Sequence, residues 1–168
     1  LGYESTDLGF VAGINGEEIV RRCQKAGFHS DFIRVKEGLS RINVKMKSDE
    51  ETEINGMGPD ITGTNVELLF EQLNELKAGD VLVLSGSIPS SIRSSIYKEI
   101  MERLQGRGIQ IVVDAEKALL MEVLPLHPFL IKPNNHELEA MLGRTLSTKE
   151  EVLEGAKELQ ASGARNVL

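Results

Sequence analysis

Three short, largely apolar stretches, Val81-Leu82-Val83-Leu84, Ile109 to Val113 and Pro128 to Ile131, are separated by residues at helical spacing. Runs of four or five apolar residues fit strands buried on both faces. Ile92, Ile96, Ile100 and Leu104 recur every four residues between the first two stretches, and Gly106-Arg107-Gly108 ends that helix. Strands of this kind alternating with amphipathic helices predict an α/β fold, a mostly parallel sheet flanked by helices.

The same alternation extends outward. Leu8 to Ala12 reads as a strand, and Ile19, Val20 and Cys23 mark a helix from about Glu17 to Ala26 that Gly27 stops. Val66, Leu69, Phe70, Leu73 and Leu76 mark a helix closed by Ala78-Gly79. Helices are expected near Asn135–Leu142 and Thr148–Ala161. No repeat, low-complexity tract or linker interrupts the 168 residues, which predicts one domain. Leu1-Gly2 reads as a helix tail with its cap, and Ala164 to Leu168 as the opening of a strand. Those two readings lead us to expect an internal piece of a longer chain.

One segment departs from the pattern. Ile42, Val44 and Met46 alternate with Asn43, Lys45 and Lys47, Ser48-Asp49-Glu50-Glu51 reads as a polar turn, and Thr52 to Asn55 returns. Period-two alternation predicts an antiparallel hairpin. It is either an edge decoration or a lid and dimerisation surface over the ligand end of the sheet.

Composition excludes several classes. With 19 Lys+Arg against 26 Asp+Glu the net charge is −7, which disfavours nucleic acid, since binding it needs clustered cations. A single Cys excludes an internal disulfide and favours the cytoplasm. No apolar run approaches the ~18 residues of a membrane-spanning helix. His29, His127 and His136 are not at metal-ligand spacing, so no zinc site is expected. Yet Arg34 to Lys47 holds five cations (Arg34, Lys36, Arg41, Lys45, Lys47) and one acid, Glu37, a local excess of four positive charges. That excess fits a small anionic ligand, or lysines that guard a strand edge. Arg41 is the better ligand candidate, because a guanidinium binds phosphate bidentately.

In open α/β sheets ligands bind beyond the carboxyl ends of the strands. There Val81–Leu84 runs into Ser85-Gly86-Ser87-Ile88-Pro89, Ile109–Val113 into Asp114-Ala115-Glu116, and the third stretch into Lys132-Pro133-Asn134-Asn135-His136-Glu137. All three clusters should converge on one rim. Glycine lets the first loop turn its amides toward a ligand, and Ser87 can donate or accept hydrogen bonds. The first cluster can equally be an ordinary turn with serine caps. Asp114 can hold a cation, orient a neighbouring Lys or cap a turn. Asn134 and Glu137 have capping-box spacing; the same geometry would let them organise a hydrated Mg²⁺ beside Lys132, whose charge offsets phosphate. His136 is expected to face solvent. Neither a Gly-x-x-x-x-Gly-Lys-Ser/Thr loop nor a Gly-x-Gly-x-x-Gly fingerprint occurs.

Lys132-Pro133-Asn134-Asn135-His136-Glu137-Leu138 resembles the Lys-Pro-Asn-x-x-Glu-Leu motif of the PfkB (ribokinase-like) carbohydrate kinases. Ser85-Gly86-Ser87-Ile88-Pro89 resembles their Ser-Gly-Ser-Leu-Pro loop, Val113-Asp114 their strand end, and Ser40-Arg41-Ile42-Asn43-Val44-Lys45 their lid segment. Thr52-Glu53-Ile54-Asn55-Gly56-Met57-Gly58-Pro59 and Pro128 to Leu138 are most similar to the 1-phosphofructokinase branch. The resemblance covers the chain with its motifs in family order.

That resemblance implies a ribokinase-like sandwich, incomplete at both ends, in which 1–168 is the central part of one kinase domain and 32–57 a β-hairpin lid that pairs two copies into a homodimer. It implies phosphoryl transfer from MgATP to the 6-hydroxyl of fructose 1-phosphate, with tagatose-6-phosphate kinase and a non-catalytic sugar-phosphate sensor as alternatives. Arg41, Asn43, Lys45 and Ser87 would bind the sugar phosphate. Lys132, Asn134 and Glu137 would serve ATP, and Glu137 and Asp114 would hold Mg²⁺ through water. The family's Gly-Gly-Lys-Gly motif would precede Leu1, and its Gly-Ala-Gly-Asp loop with the general base would follow Leu168. The 168 residues alone are therefore expected to show no kinase turnover.

Overall fold

The computed structural model describes residues 4–47 and 51–168, with backbone only for Lys47 and Glu51. The helix cap expected at Leu1-Gly2 and the turn expected at Ser48-Asp49-Glu50 lie outside the described residues. The chain divides into two units, Leu1–Leu73 and Asn74–Leu168.

In the first unit, β1 (Thr6–Ala12) leads directly into α1 (Gly13–Lys25) and returns through β2 (His29–Val35). β1 and β2 pair in parallel, Thr6 opposite His29 through Ala12 opposite Val35. Val11, Ala12, Ile33 and Val35 are buried in this pair. β3 (Asn43–Lys47) and β4 (Glu51–Asn55) form a separate antiparallel pair, as the alternation predicts. Its register sets Val44 opposite Ile54 and Lys45 opposite Glu53, so one face is apolar and the other charged. Val44, Met46 and Ile54 remain exposed. α2 (Gly63–Asn74) follows and buries Phe70 and Leu73. Local pattern does not predict strand β2. His29-Ser30-Asp31 carries no apolar side chain, and pairing with β1 rather than local pattern makes it a strand.

The second unit holds a parallel sheet in the order β5-β6-β7, formed by β5 (Val81–Ser85), β6 (Gln110–Asp114) and β7 (Leu130–Ile131). Val167 adds a parallel bridge to Ile131. α3 (Ile96–Leu104) lies between the first two strands in sequence, and α4 (Lys117–Val123) with a 3-10 turn at Leu124–Leu126 between the next two. α5 (Asn135–Leu142) and α6 (Lys149–Ala161) complete the unit. α3 starts at Ile96 rather than Ile92 and presents Ile96, Ile100, Met101 and Leu104 inward. α4, which local pattern does not predict either, buries Leu120 and Val123.

Leu84, Val113 and Ile131 are buried, but Val81 and Val83 on the opposite face are 56% and 57% exposed. Val83 pairs with Val112 and Val112 with Leu130, so these share that more open face. Among the described residues, no helix is long and apolar enough to cross a membrane.

Candidate active site

The register of the second sheet brings three polar clusters to one edge. Ser85 is opposite Asp114 at the ends of β5 and β6. The Lys132 N–H donates to the Val113 carbonyl at 3.2 Å, which places Lys132 one step beyond β7 at the same edge. The convergence expected of these clusters is therefore present.

Asp114 is the hub. Its carboxylate lies 3.1 Å from Lys132 Nζ, and its main-chain carbonyl accepts the Gly86 N–H at 3.3 Å. Gly86 has φ +93, a left-handed conformation that favours glycine. The Tyr97 hydroxyl donates to the Gly86 carbonyl at 3.2 Å. Burial, and secondly the Asp114 carboxylate, push the Tyr97 phenol above its ordinary range. Tyr97 did not emerge from the sequence, where it is one aromatic in an amphipathic helix; only the fold turns its hydroxyl to the loop.

The Lys132 and Asp114 side chains are 49% and 39% exposed. Such a pair contributes about 0–1 kcal/mol, so Lys132 can leave Asp114 for a phosphate at small cost. Two residues further on, Asn134 caps α5. Its Oδ1 accepts the Glu137 N–H at 2.9 Å, while Glu137 Oε2 accepts the Asn134 N–H at 2.8 Å. The capping box is thus complete. It also aims the positive end of a helix dipole to the edge that carries Lys132.

Among the described residues, no group of three or more His, Cys, Asp or Glu could enclose a metal. Asp114 is engaged by Lys132 and Glu137 by its cap. This donor set fits an ion held through its water shell, as Mg²⁺ usually is, and not a direct protein cage. His136 is 96% exposed, as expected.

In the first unit the base of the hairpin is tied down. Ser40, 6% exposed, donates its N–H to the Ala12 carbonyl at 2.9 Å and accepts the Ala12 N–H on Oγ at 2.8 Å. Asn15 Nδ2 donates to the Ser40 carbonyl at 3.0 Å. Gly56 donates its N–H to the Ile42 carbonyl at 3.0 Å. Arg41 sits between these two anchors and is exposed. Asn43, also exposed, opens β3 opposite Asn55. Lys45 pairs across the hairpin with Glu53 at 2.5 Å, and Lys45 and Asn55 hold the Glu53 carboxyl below its ordinary range. Arg34 pairs with Glu17 of α1. The local excess of positive charge is thus smaller than the sequence window implies. Arg41, Asn43 and Lys45 belong to the first unit, and Ser87, Asp114, Lys132, Asn134 and Glu137 to the second.

A parallel sheet with a lysine, a paired carboxylate and a capped helix N-terminus at its carboxyl edge, together with an antiparallel hairpin in the other unit, defines an α/β protein. Comparison with known proteins makes this specific. The pfkB family carbohydrate kinase model matches residues 1–168, and the chain belongs to that family.

It is 40% identical over 164 residues to 1-phosphofructokinase of Bacillus subtilis, covering 98% of this chain and 54% of that protein. It is 33% identical over 169 residues to D-tagatose-1-phosphate kinase of Bacillus licheniformis, covering 100% of this chain and 55% of that protein. The crystal structure of phosphofructokinase-2 from Escherichia coli in complex with fructose-6-phosphate superposes with a TM-score of 0.88 at 27% identity, over 99% of this chain and 56% of that one. The chain thus spans about half the length of the relatives it matches.

Proposed function

We propose that these residues form the central part of an ATP-dependent sugar-phosphate kinase that transfers phosphoryl from MgATP to the 6-hydroxyl of fructose 1-phosphate, giving fructose 1,6-bisphosphate. The observation that carries the reading is the meeting of Ser85-Gly86-Ser87, Asp114 and Lys132 at one sheet edge, together with family membership. In this reading 1–168 is the middle of one kinase domain and 32–57 its lid.

Phosphoryl transfer depends mainly on positioning and electrostatic stabilisation. Lys132 leaves Asp114 to offset charge on the nucleotide phosphates. Asn134 and Glu137 order water around Mg²⁺ at the start of α5, and Asp114 supports the same cationic region. MgATP supplies the phosphoryl group and its charge neutralisation. Arg41, held between Ser40 and Ile42, takes the phosphate of the sugar, with Asn43 and Lys45 beside it, and Ser87 lines the substrate side. The exposed apolar face of Val44, Met46 and Ile54 is assigned to pairing of two lids in a homodimer. The protein works in the cytoplasm, on a soluble substrate.

A second substrate is favoured by a specific observation: one relative acts on D-tagatose 1-phosphate. Fructose and tagatose 1-phosphate differ in configuration at one carbon, and both carry a terminal hydroxyl at C6. The test is a coupled ADP-release assay of the full-length protein with fructose 1-phosphate, tagatose 1-phosphate and tagatose 6-phosphate. Turnover is expected with the 1-phosphates, and Lys132→Met should lower it by about a hundredfold. No turnover with any of the three sugar phosphates would overturn the proposal.

A further inference from the structure

Tyr97 is placed where no chemical step of phosphoryl transfer calls for a phenol. It is the second residue of α3, and its hydroxyl donates to the Gly86 carbonyl at 3.2 Å. The Gly86 N–H donates to the Asp114 carbonyl at 3.3 Å. Gly86 is therefore gripped at both of its peptide groups in its left-handed conformation.

A trans peptide directs its carbonyl and the following N–H to opposite sides, and the described residues contain no cis bond. Holding the Gly86 carbonyl thus fixes the direction of the Ser87 amide and the point from which the Ser87 side chain departs. We propose that Tyr97 is a positioning residue for the sugar-phosphate side of the site, its hydroxyl setting the Gly86–Ser87 peptide so that Ser87 meets the substrate in one orientation. The proposal rests on the kinase reading above, in which Ser87 faces the sugar. Lys132 pairs with the Asp114 carboxylate and not with the Gly86 loop, so it keeps its partner when the phenol is lost. The effect should therefore fall on the sugar and spare the nucleotide.

The experiment compares the full-length protein with its Tyr97→Phe variant, which keeps the ring in α3 and removes only the hydroxyl. KM for fructose 1-phosphate should rise about three- to tenfold, the range of one lost hydrogen bond, while KM for ATP stays within about twofold. Amide hydrogen exchange at Ser87 should accelerate, with the rest of α3 unchanged. If the wild type is active and the variant keeps its sugar KM, or if both KM values rise together, the positioning role is wrong and the kinase reading stands. If the wild type neither binds nor turns over any of the three sugar phosphates, the kinase reading falls. Exchange then decides: unchanged Ser87 protection in the variant overturns the grip on the loop, and acceleration confined to residues 85–88 upholds it.

Discussion

Lys132 Nζ rests 3.1 Å from Asp114 Oδ1 at the carboxyl edge of a parallel sheet. Asp114 ends β6 and Lys132 follows β7, and the pair is half in solvent. An ion pair this exposed adds little to the fold, and in the proposed reading it aims the lysine. Asp114→Asn is predicted to move the denaturation midpoint by less than ~1 kcal/mol. The same change should lower kcat/KM of the full-length protein by about ten- to a hundredfold, because misplacing a charged group next to the reacting phosphate is costly. A large loss of stability with unaltered activity would contradict this.

Glu137 has two assigned tasks, one seen and one proposed. Its carboxylate closes the capping box with Asn134, and it is proposed to order Mg²⁺ through water. Glu137→Gln separates them, since Gln also completes such a box. Stability should remain within about 0.5 kcal/mol of wild type, while the Mg²⁺ concentration for half-maximal rate rises about tenfold. An unchanged Mg²⁺ requirement would leave Glu137 with the cap alone.

Ser40 joins the end of β1 to the root of the hairpin. Ser40→Ala leaves the buried Ala12 N–H without its side-chain acceptor, which costs about 1–3 kcal/mol. Urea unfolding checks the loss. Because Arg41 is the next residue, KM for the sugar phosphate should also rise, and KM for ATP should not.

Glu18, on α1, offers a pH probe. Hydrogen bonds from Arg21 and Arg22 lower its carboxyl from 4.5 to about 2. A depressed folded-state value means the interaction contributes fully above about 4.5 and is lost as pH falls toward 2. NMR titration of the side-chain carboxyl should show a midpoint well below that of an unpaired glutamate, and Arg21→Gln should raise it. A midpoint near 4.5 in the wild type would contradict the pairing.

Features legible in the sequence are those decided locally. Val81–Leu84 reads as a strand because four apolar residues in a row suit little else. Asn134 and Glu137 read as a capping box because their partners lie three residues apart, and both bonds form. The hairpin 43–55 follows from strict alternation. The family motifs are short and contiguous, and so are visible without a fold.

What the chain order hides is whatever depends on residues distant in sequence. The basic excess between Arg34 and Lys47 is partly cancelled by Glu17 and Glu53, which a charge count over that window cannot include. β2 exists because β1 offers it a hydrogen-bonding edge. Tyr97 reaches Gly86 across eleven residues, and Lys132 reaches Asp114 across two strand ends. Local pattern determined the α/β class, the hairpin and the family motifs, because turn chemistry and side-chain period act over a few residues. Tertiary structure decided which cations are paired and that the Tyr97 hydroxyl and the Asp114 carbonyl both hold Gly86. Those outcomes depend on parallel register and crossover packing, which join groups that the sequence keeps far apart.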